Sequence, residues 1–208
     1  HRPVTIDGAA FVDLGRTDAR PAHTIPDVDA EGRLVAGSDA NTQGRYALHF
    51  HLRSGADRER APHVVRNSAI IGSPKHGLVN HGGHVLAEGN VGFEIDGSHF
   101  FAENGTEIGR FAGNLAVRSR GSRDAVTSRE GTHDFGHQGH GFWSQSGGVE
   151  MVDNWAFGHA DAAFVIFTRT IEEGGRWVRL PTALAGDPAV SAGREWVDPG
   201  EVPFRFAG

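Results

Sequence analysis

Four stretches of the chain place an Asn before apolar residues: Arg66-Asn67-Ser68-Ala69-Ile70, Gly89-Asn90-Val91-Gly92-Phe93, Gly113-Asn114-Leu115-Ala116-Val117 and Asp153-Asn154-Trp155-Ala156-Phe157. Successive Asn residues lie 23, 24 and 40 positions apart. A period near two dozen belongs to stacked coils, each burying its apolar face against the next, rather than to a conventional globular sheet. With Asn90 and Asn154 in register, Gly77-Leu78-Val79-Asn80-His81-Gly82-Gly83 falls on Gly141-Phe142-Trp143-Ser144-Gln145-Ser146-Gly147, and Val85 on Val149. Each unit then reads as a short strand, a Gly turn, a second strand, an Asn turn and a third strand. No amphipathic helix longer than a few residues intervenes. The expected fold is all-β, a parallel β-helix forming one domain over residues 1–208. Asn suits the recurring turn because it tolerates the left-handed region and bonds nearby backbone, and Asn side chains stacked from coil to coil can bond one another in a ladder.

Three stretches break the period and read as loop excursions from the coil, near 53–62, 119–139 and 171–197. Long loops on a rigid solenoid commonly border its binding face. At the end of the chain, Arg205-Phe206-Ala207-Gly208 repeats Arg110-Phe111-Ala112-Gly113 and stops where an Asn would follow. Val4-Thr5-Ile6-Asp7-Gly8 likewise opens within a strand. Solenoids need capped ends for solubility, so the expectation is a segment lacking its end caps, with the remaining coils in a longer parent chain.

Composition narrows the function. A net charge of -6, from 20 Lys and Arg against 26 Asp and Glu, disfavours nucleic acid as a partner. No apolar run of about 18 residues is present for a membrane span. Cysteine is absent, which excludes disulfides and thiolate metal sites, while His is frequent at 13 residues.

In Tyr46-Ala47-Leu48-His49-Phe50-His51-Leu52, strand alternation turns Leu48, Phe50 and Leu52 to one face and both His residues to the other. The equivalent strands are Leu78-Val79-Asn80-His81, Phe100-Phe101-Ala102-Glu103 and Phe142-Trp143-Ser144-Gln145. With Leu78, Phe100 and Phe142 inward, His51, His81, Glu103 and Gln145 form an outward column, and His49 lies one pleat away. Coils stack about 4.8 Å apart, so aligned side chains come within reach of one ion or one substrate group. Two imidazoles and a carboxylate on open surface suit a divalent metal with vacant positions, or a metal-free proton-transfer set. Phe101 and Trp143 on the same outward face offer a flat surface on which sugar rings can stack. His133, His137 and His140 read as a polar, flexible loop in preference to a metal clip.

Gln43-Gly44-Arg45-Tyr46-Ala47-Leu48-His49-Phe50-His51-Leu52, Val79-Asn80-His81-Gly82, Gly97-Ser98-His99-Phe100-Phe101-Ala102-Glu103-Asn104-Gly105, Phe142-Trp143 and Phe164-Val165-Ile166-Phe167 follow one another in a familiar order. Over roughly residues 43–167 the chain resembles the cell-migration-inducing and transmembrane cell-surface hyaluronidases and their bacterial relatives. Glu103-Asn104-Gly105 stands where that family reads Glu-Asp-Gly, and the Gly-, Ala- and Arg-rich composition suggests a bacterial relative. The resemblance implies a right-handed parallel β-helix that binds and depolymerises hyaluronan, and a secreted or cell-surface location.

The expected activity is cleavage of glycosidic bonds in a uronic-acid-containing polymer, an acidic polysaccharide. In this reading Arg45 pairs the uronate, Phe101, Trp143 and Gln145 contact sugars, and Glu103 is the acid or base. His51 and His81 shuttle protons, or join His49 and Glu103 in holding one divalent metal ion. Arg53, Arg58, Arg118, Arg120 and Arg123 would form a local basic strip. The alternative is a non-catalytic carbohydrate-binding or adhesive β-helix with a structural metal site. A glycosidase commonly uses two carboxylates about 5 to 10 Å apart, and beyond Glu103 the partner would have to be Asp57 or Glu59.

Overall fold

The computed structural model describes residues 2–51, 59–125, 128–129, 133–167 and 204–207, together with short strands at 172–173, 176–177, 180–181 and 196–197. Five coils of three strands each build a parallel β-helix. The first coil is β1 (Thr5–Asp7), β2 (Ala10–Val12) and β3 (Leu48–His51), and the second is β4 (His63–Arg66), β5 (Ala69–Ile71) and β6 (Leu78–His81). Next come β7 (His84–Glu88), β8 (Val91–Phe93) and β9 (Ser98–Ala102), then β10 (Ile108–Ala112), β11 (Leu115–Val117) and β12 (His140–Ser144). The fifth is β13 (Val149–Val152), β14 (Trp155–Phe157) and β15 (Phe164–Ile166). Two antiparallel pairs follow, β16 (Glu172–Glu173) with β17 (Arg176–Trp177) and β18 (Leu180–Pro181) with β19 (Trp196–Val197). A further strand, β20 (Phe206–Ala207), stacks on β13 with Phe206 opposite Met151.

Corresponding strands stack into three parallel sheets. Inward side chains form a continuous core in which Leu48, Leu78, Phe100, Phe142 and Phe164 share one row. The rings of Phe100 and Phe142 stack at 5.0 Å, and those of Phe142 and Phe164 at 4.9 Å. Alternation of apolar and other side chains over three to five residues is what a coil strand requires, because one face meets the core and the other does not.

The Asn ladder exists with one correction. Asn90 N–H donates to Asn114 Oδ1 at 2.9 Å, and Asn114 N–H to Asn154 Oδ1 at 3.0 Å. Below them it is Ser68 N–H, not Asn67, that donates to Asn90 Oδ1, at 3.1 Å. Asn67 sits one step earlier, at the left-handed position (φ 51°) filled in the other coils by Gly8, Gly89, Gly113 and Asp153. The ladder residue and the left-handed residue are thus adjacent places in the turn, and Asn is competent for either.

A long excursion, residues 13–47, separates β2 from β3 and was not among the three read from the sequence. Asn41 organises it: its Oδ1 accepts from Asp18 N–H at 2.7 Å and its Nδ2 donates to the Asp18, Pro21 and Ala22 carbonyls. Part of this excursion packs on the outer wall of the third sheet, beside residues 133–140 from the segment between β11 and β12.

Candidate functional site

The third sheet carries the site on its outer face. Register is direct: His49 lies opposite Val79, which lies opposite Phe101, which lies opposite Trp143. In the second outward row His51 lies opposite His81, and Glu103 continues that row because its N–H bonds Asn80 O at 3.1 Å. His81 Nδ1 is 3.1 Å from Glu103 Oε2, and His49 Nε2 is 3.8 Å from the same oxygen. Among the described residues, His49, His81 and Glu103 are the one group of three whose donor atoms converge, all within 4.8 Å of one another. Their side chains are 15%, 24% and 12% exposed, so the cluster is recessed but open. His51 is exposed at its outer edge, with its ring 4.5 Å from that of His81.

Electrostatics make this a base-rich site. Burial pushes the Glu103 carboxyl up, but the bond from His81 and the charges of His81, His49 and Lys75 outweigh it and hold the group below its ordinary value. For His49, burial outweighs the pull of Glu103 and lowers the imidazole. His49 Nδ1 donates to the Gly44 carbonyl at 2.8 Å, which fixes the neutral tautomer and leaves its Nε2 lone pair facing the carboxylate. That Nε2 is shielded from solvent and makes no hydrogen bond. An ionised carboxylate beside a neutral imidazole, the latter oriented by a backbone carbonyl, is a suitable donor set for a divalent ion. The 3.1 and 3.8 Å separations bracket the edge, about 3.4 Å, of a tetrahedron with bonds of about 2.1 Å.

The expected aromatic platform is not a surface. Phe101 and Trp143 are each 1% exposed. Residues 133–140 fold back over the sheet and insert Phe135, whose ring lies 6.5 Å from Trp143 and 5.2 Å from Phe167. His76 stacks on Phe101 at 4.4 Å, and Tyr46 packs with Val79 in the same cluster. This second apolar core, outside the coil, walls one side of the histidine cluster. Gln145 is also buried; its Nε2 donates to the Glu103 carbonyl, bracing the strand end, while its Oε1 makes no hydrogen bond. Arg45 is exposed.

Other expectations shift as well. His137 and His140 are fully buried, so this segment is a packed cover rather than a solvated loop: His137 Nδ1 meets Ser122 Oγ at 2.8 Å, and His140 Nε2 meets Asp161 at 2.9 Å. Two members of the basic strip are paired with carboxylates, Arg118 with Glu94 at 2.9 Å and Arg120 with Asp96 at 2.7 Å, and Arg123 is exposed. Arg53, Arg58 and Asp57 lie outside the described residues, and Glu59 is exposed.

Three buried ionisable groups behind the site were not singled out from the sequence. Lys75 pairs with Asp134, and Asp134 Oδ2 also accepts from the His23 N–H at 3.0 Å. Lys75 is the sole lysine of the chain, a compositional oddity that could have marked it.

A family model, the CEMIP beta-helix, matches residues 35–176, about two thirds of the chain. The chain belongs to the CEMIP beta-helix family. The match runs from within the first excursion past β15, so the CEMIP beta-helix region contains every member of the histidine cluster. No curated protein and no solved structure matches the chain.

Proposed function

We propose that this CEMIP beta-helix chain is a polysaccharide-active protein that cleaves glycosidic bonds in a uronic-acid-containing polymer of the hyaluronan type, in a secreted or cell-surface setting. The observation that carries the reading is the convergence of His49, His81 and Glu103 on the outer wall of the helix. Glu103, held ionised at neutral pH, serves as the proton acceptor, and His81 at 3.1 Å orients it and shares the proton. His51, exposed at the rim, contacts the sugar chain, and Arg45 is the proposed partner of a uronate, supported by its exposure and its place four residues before His49. Alternatively, with that proton lost, His49, His81 and Glu103 would hold one divalent ion in its place. When bound, such an ion supplies a Lewis-acid charge beside a uronate or glycosidic oxygen. With Phe101 and Trp143 covered, sugar recognition falls to the polar rim.

One observation favours a second reading, a non-catalytic carbohydrate-binding β-helix with a structural metal: the cluster contains a single carboxylate, whereas a hydrolytic pair needs two. Incubation with a panel of acidic polysaccharides, monitored for new reducing ends and for unsaturated uronates, separates the two. Cleavage that falls at least about 100-fold in Glu103→Gln with folding intact supports the enzyme. Release of neither product from any polymer leaves the binding module, and the class of product distinguishes hydrolysis from elimination.

A further inference from the structure

Glu107 is completely buried one turn away from Glu103, and no step assigned to the site uses it. Its Oε1 accepts from the Gly82 N–H at 3.0 Å and from the Asn104 N–H at 2.7 Å, and its Oε2 accepts from the Gly105 N–H at 2.8 Å. Gly82 follows His81, and Asn104 follows Glu103. One carboxylate therefore grips the backbone immediately behind both side chains, which belong to different coils. Gly82 and Gly105 take positive φ, 71° and 94°, and so turn their amides into the concavity that the carboxylate fills. Next to it Asn80 Nδ2 bonds the Ile108 carbonyl at 3.3 Å, and Ser146 Oγ bonds the Glu107 carbonyl at 2.6 Å, tying the turn to both neighbouring coils.

Strand ends fray unless something holds them, and His81 closes β6 while Glu103 lies just beyond β9. A neutral turn residue would satisfy local amides. A buried carboxylate, costly to desolvate, is matched here by three N–H donors drawn from two coils. We propose that Glu107 is a positioning residue for the cluster, setting the separation between His81 and Glu103 by fixing the backbone behind each. The proposal rests on the reading of His49, His81 and Glu103 as a divalent cation site.

Cobalt(II) titrated into the purified chain, followed by calorimetry and by its absorption spectrum, tests both. Wild type is expected to take up one ion, and His81→Ala none. Glu107→Gln, in which an amide N–H₂ must face a backbone donor, is expected to bind about 10- to 100-fold more weakly with strand content retained. Ser146→Ala serves as the structural control: it removes another bond of the same turn, lowers Tm, and should leave cobalt affinity unchanged. If Glu107→Gln does not fold, Glu107→Asp, which keeps the charge but draws it back by one methylene, carries the test with the same expectation. Absence of cobalt binding by wild type overturns the cation site and the proposal with it. Undiminished affinity in the folded Glu107 variant, or equal loss in Ser146→Ala, overturns the positioning role alone.

Discussion

Lys75 and Asp134 form an ion pair whose side chains are 1% and 0% exposed. Asp134 comes from the cover and Lys75 from the approach to β6, so the pair fastens one to the other. Burial lowers the Lys75 ammonium while Asp134 opposes that shift, and Arg129 adds a contact to Asp134 at 3.3 Å. Removing one partner strands the other charge, so Asp134→Asn is expected to cost about 3–5 kcal/mol in denaturant unfolding. The same burial should protect the Lys75 amine from acylation until the chain unfolds. Equal acylation rates in native buffer and in denaturant would contradict this arrangement.

Trp143 packs between Phe135 and Phe167 and contributes to the wall beside the cluster rather than to a sugar platform. Trp143→Ala is therefore expected to lower stability by about 3–5 kcal/mol. Glycan affinity measured well below the shifted Tm should change far less than it does on altering exposed His51. A large affinity loss with Tm preserved would restore the platform reading.

Asn114 satisfies several backbone groups at once. Its Oδ1 accepts from Asn90 N–H at 2.9 Å, and its Nδ2 donates to the Ala87 carbonyl at 2.8 Å. Asn114→Ala leaves both buried, at an expected cost of about 2–4 kcal/mol. Ser68→Ala, whose lost hydroxyl bonds to Ala9 N–H and the Arg66 carbonyl are only part-buried, should cost less. Thermal unfolding of the two variants provides the comparison.

His137 and His99 give stability a pH dependence. Burial, with the charge of Arg129 adding to it, lowers His137 to about 4, and burial followed by His159 lowers His99 to about 3. Both values fall below the unfolded value near 6.5, so the unfolded chain takes up protons first as pH falls. Their contribution is neutral above about pH 6.5, and each should cost about 2 kcal/mol between pH 7 and pH 5. Tm should decline over that interval and decline less in His137→Gln. A level Tm from pH 7 to pH 5 would refute the assignment.

Much of the fold was legible because a coil repeats its own hydrogen-bonding geometry. The strand from Leu48 to His51 shares a phase with Leu78 to His81 and Phe100 to Glu103, so alternation alone separated the inward Leu48, Leu78 and Phe100 from the outward column. The column itself emerged for the same reason. Asn67 misled by one step, since Asn fits both the ladder and the left-handed place before it. The excursion at 13–47 was not recognised, since its packing depends on Asn41 bonding backbone far from it in sequence. Glu107 carried no local signal, because its donors come from Gly82 on another coil as well as from Asn104 and Gly105 beside it.

By itself the sequence determined the solenoid, the inward row of Leu48, Leu78, Phe100 and Phe142, and the vertical alignment of His51, His81 and Glu103. These follow from strand alternation and from the coil repeat, which act between residues whose spacing is regular. Only the tertiary structure decided that His49 rather than His51 closes on Glu103, that Phe101 and Trp143 lie beneath Phe135, and that Lys75 meets Asp134. Those relationships depend on where irregular segments land on the outer wall, and the packing of a long loop against a sheet follows no period that a single strand reveals.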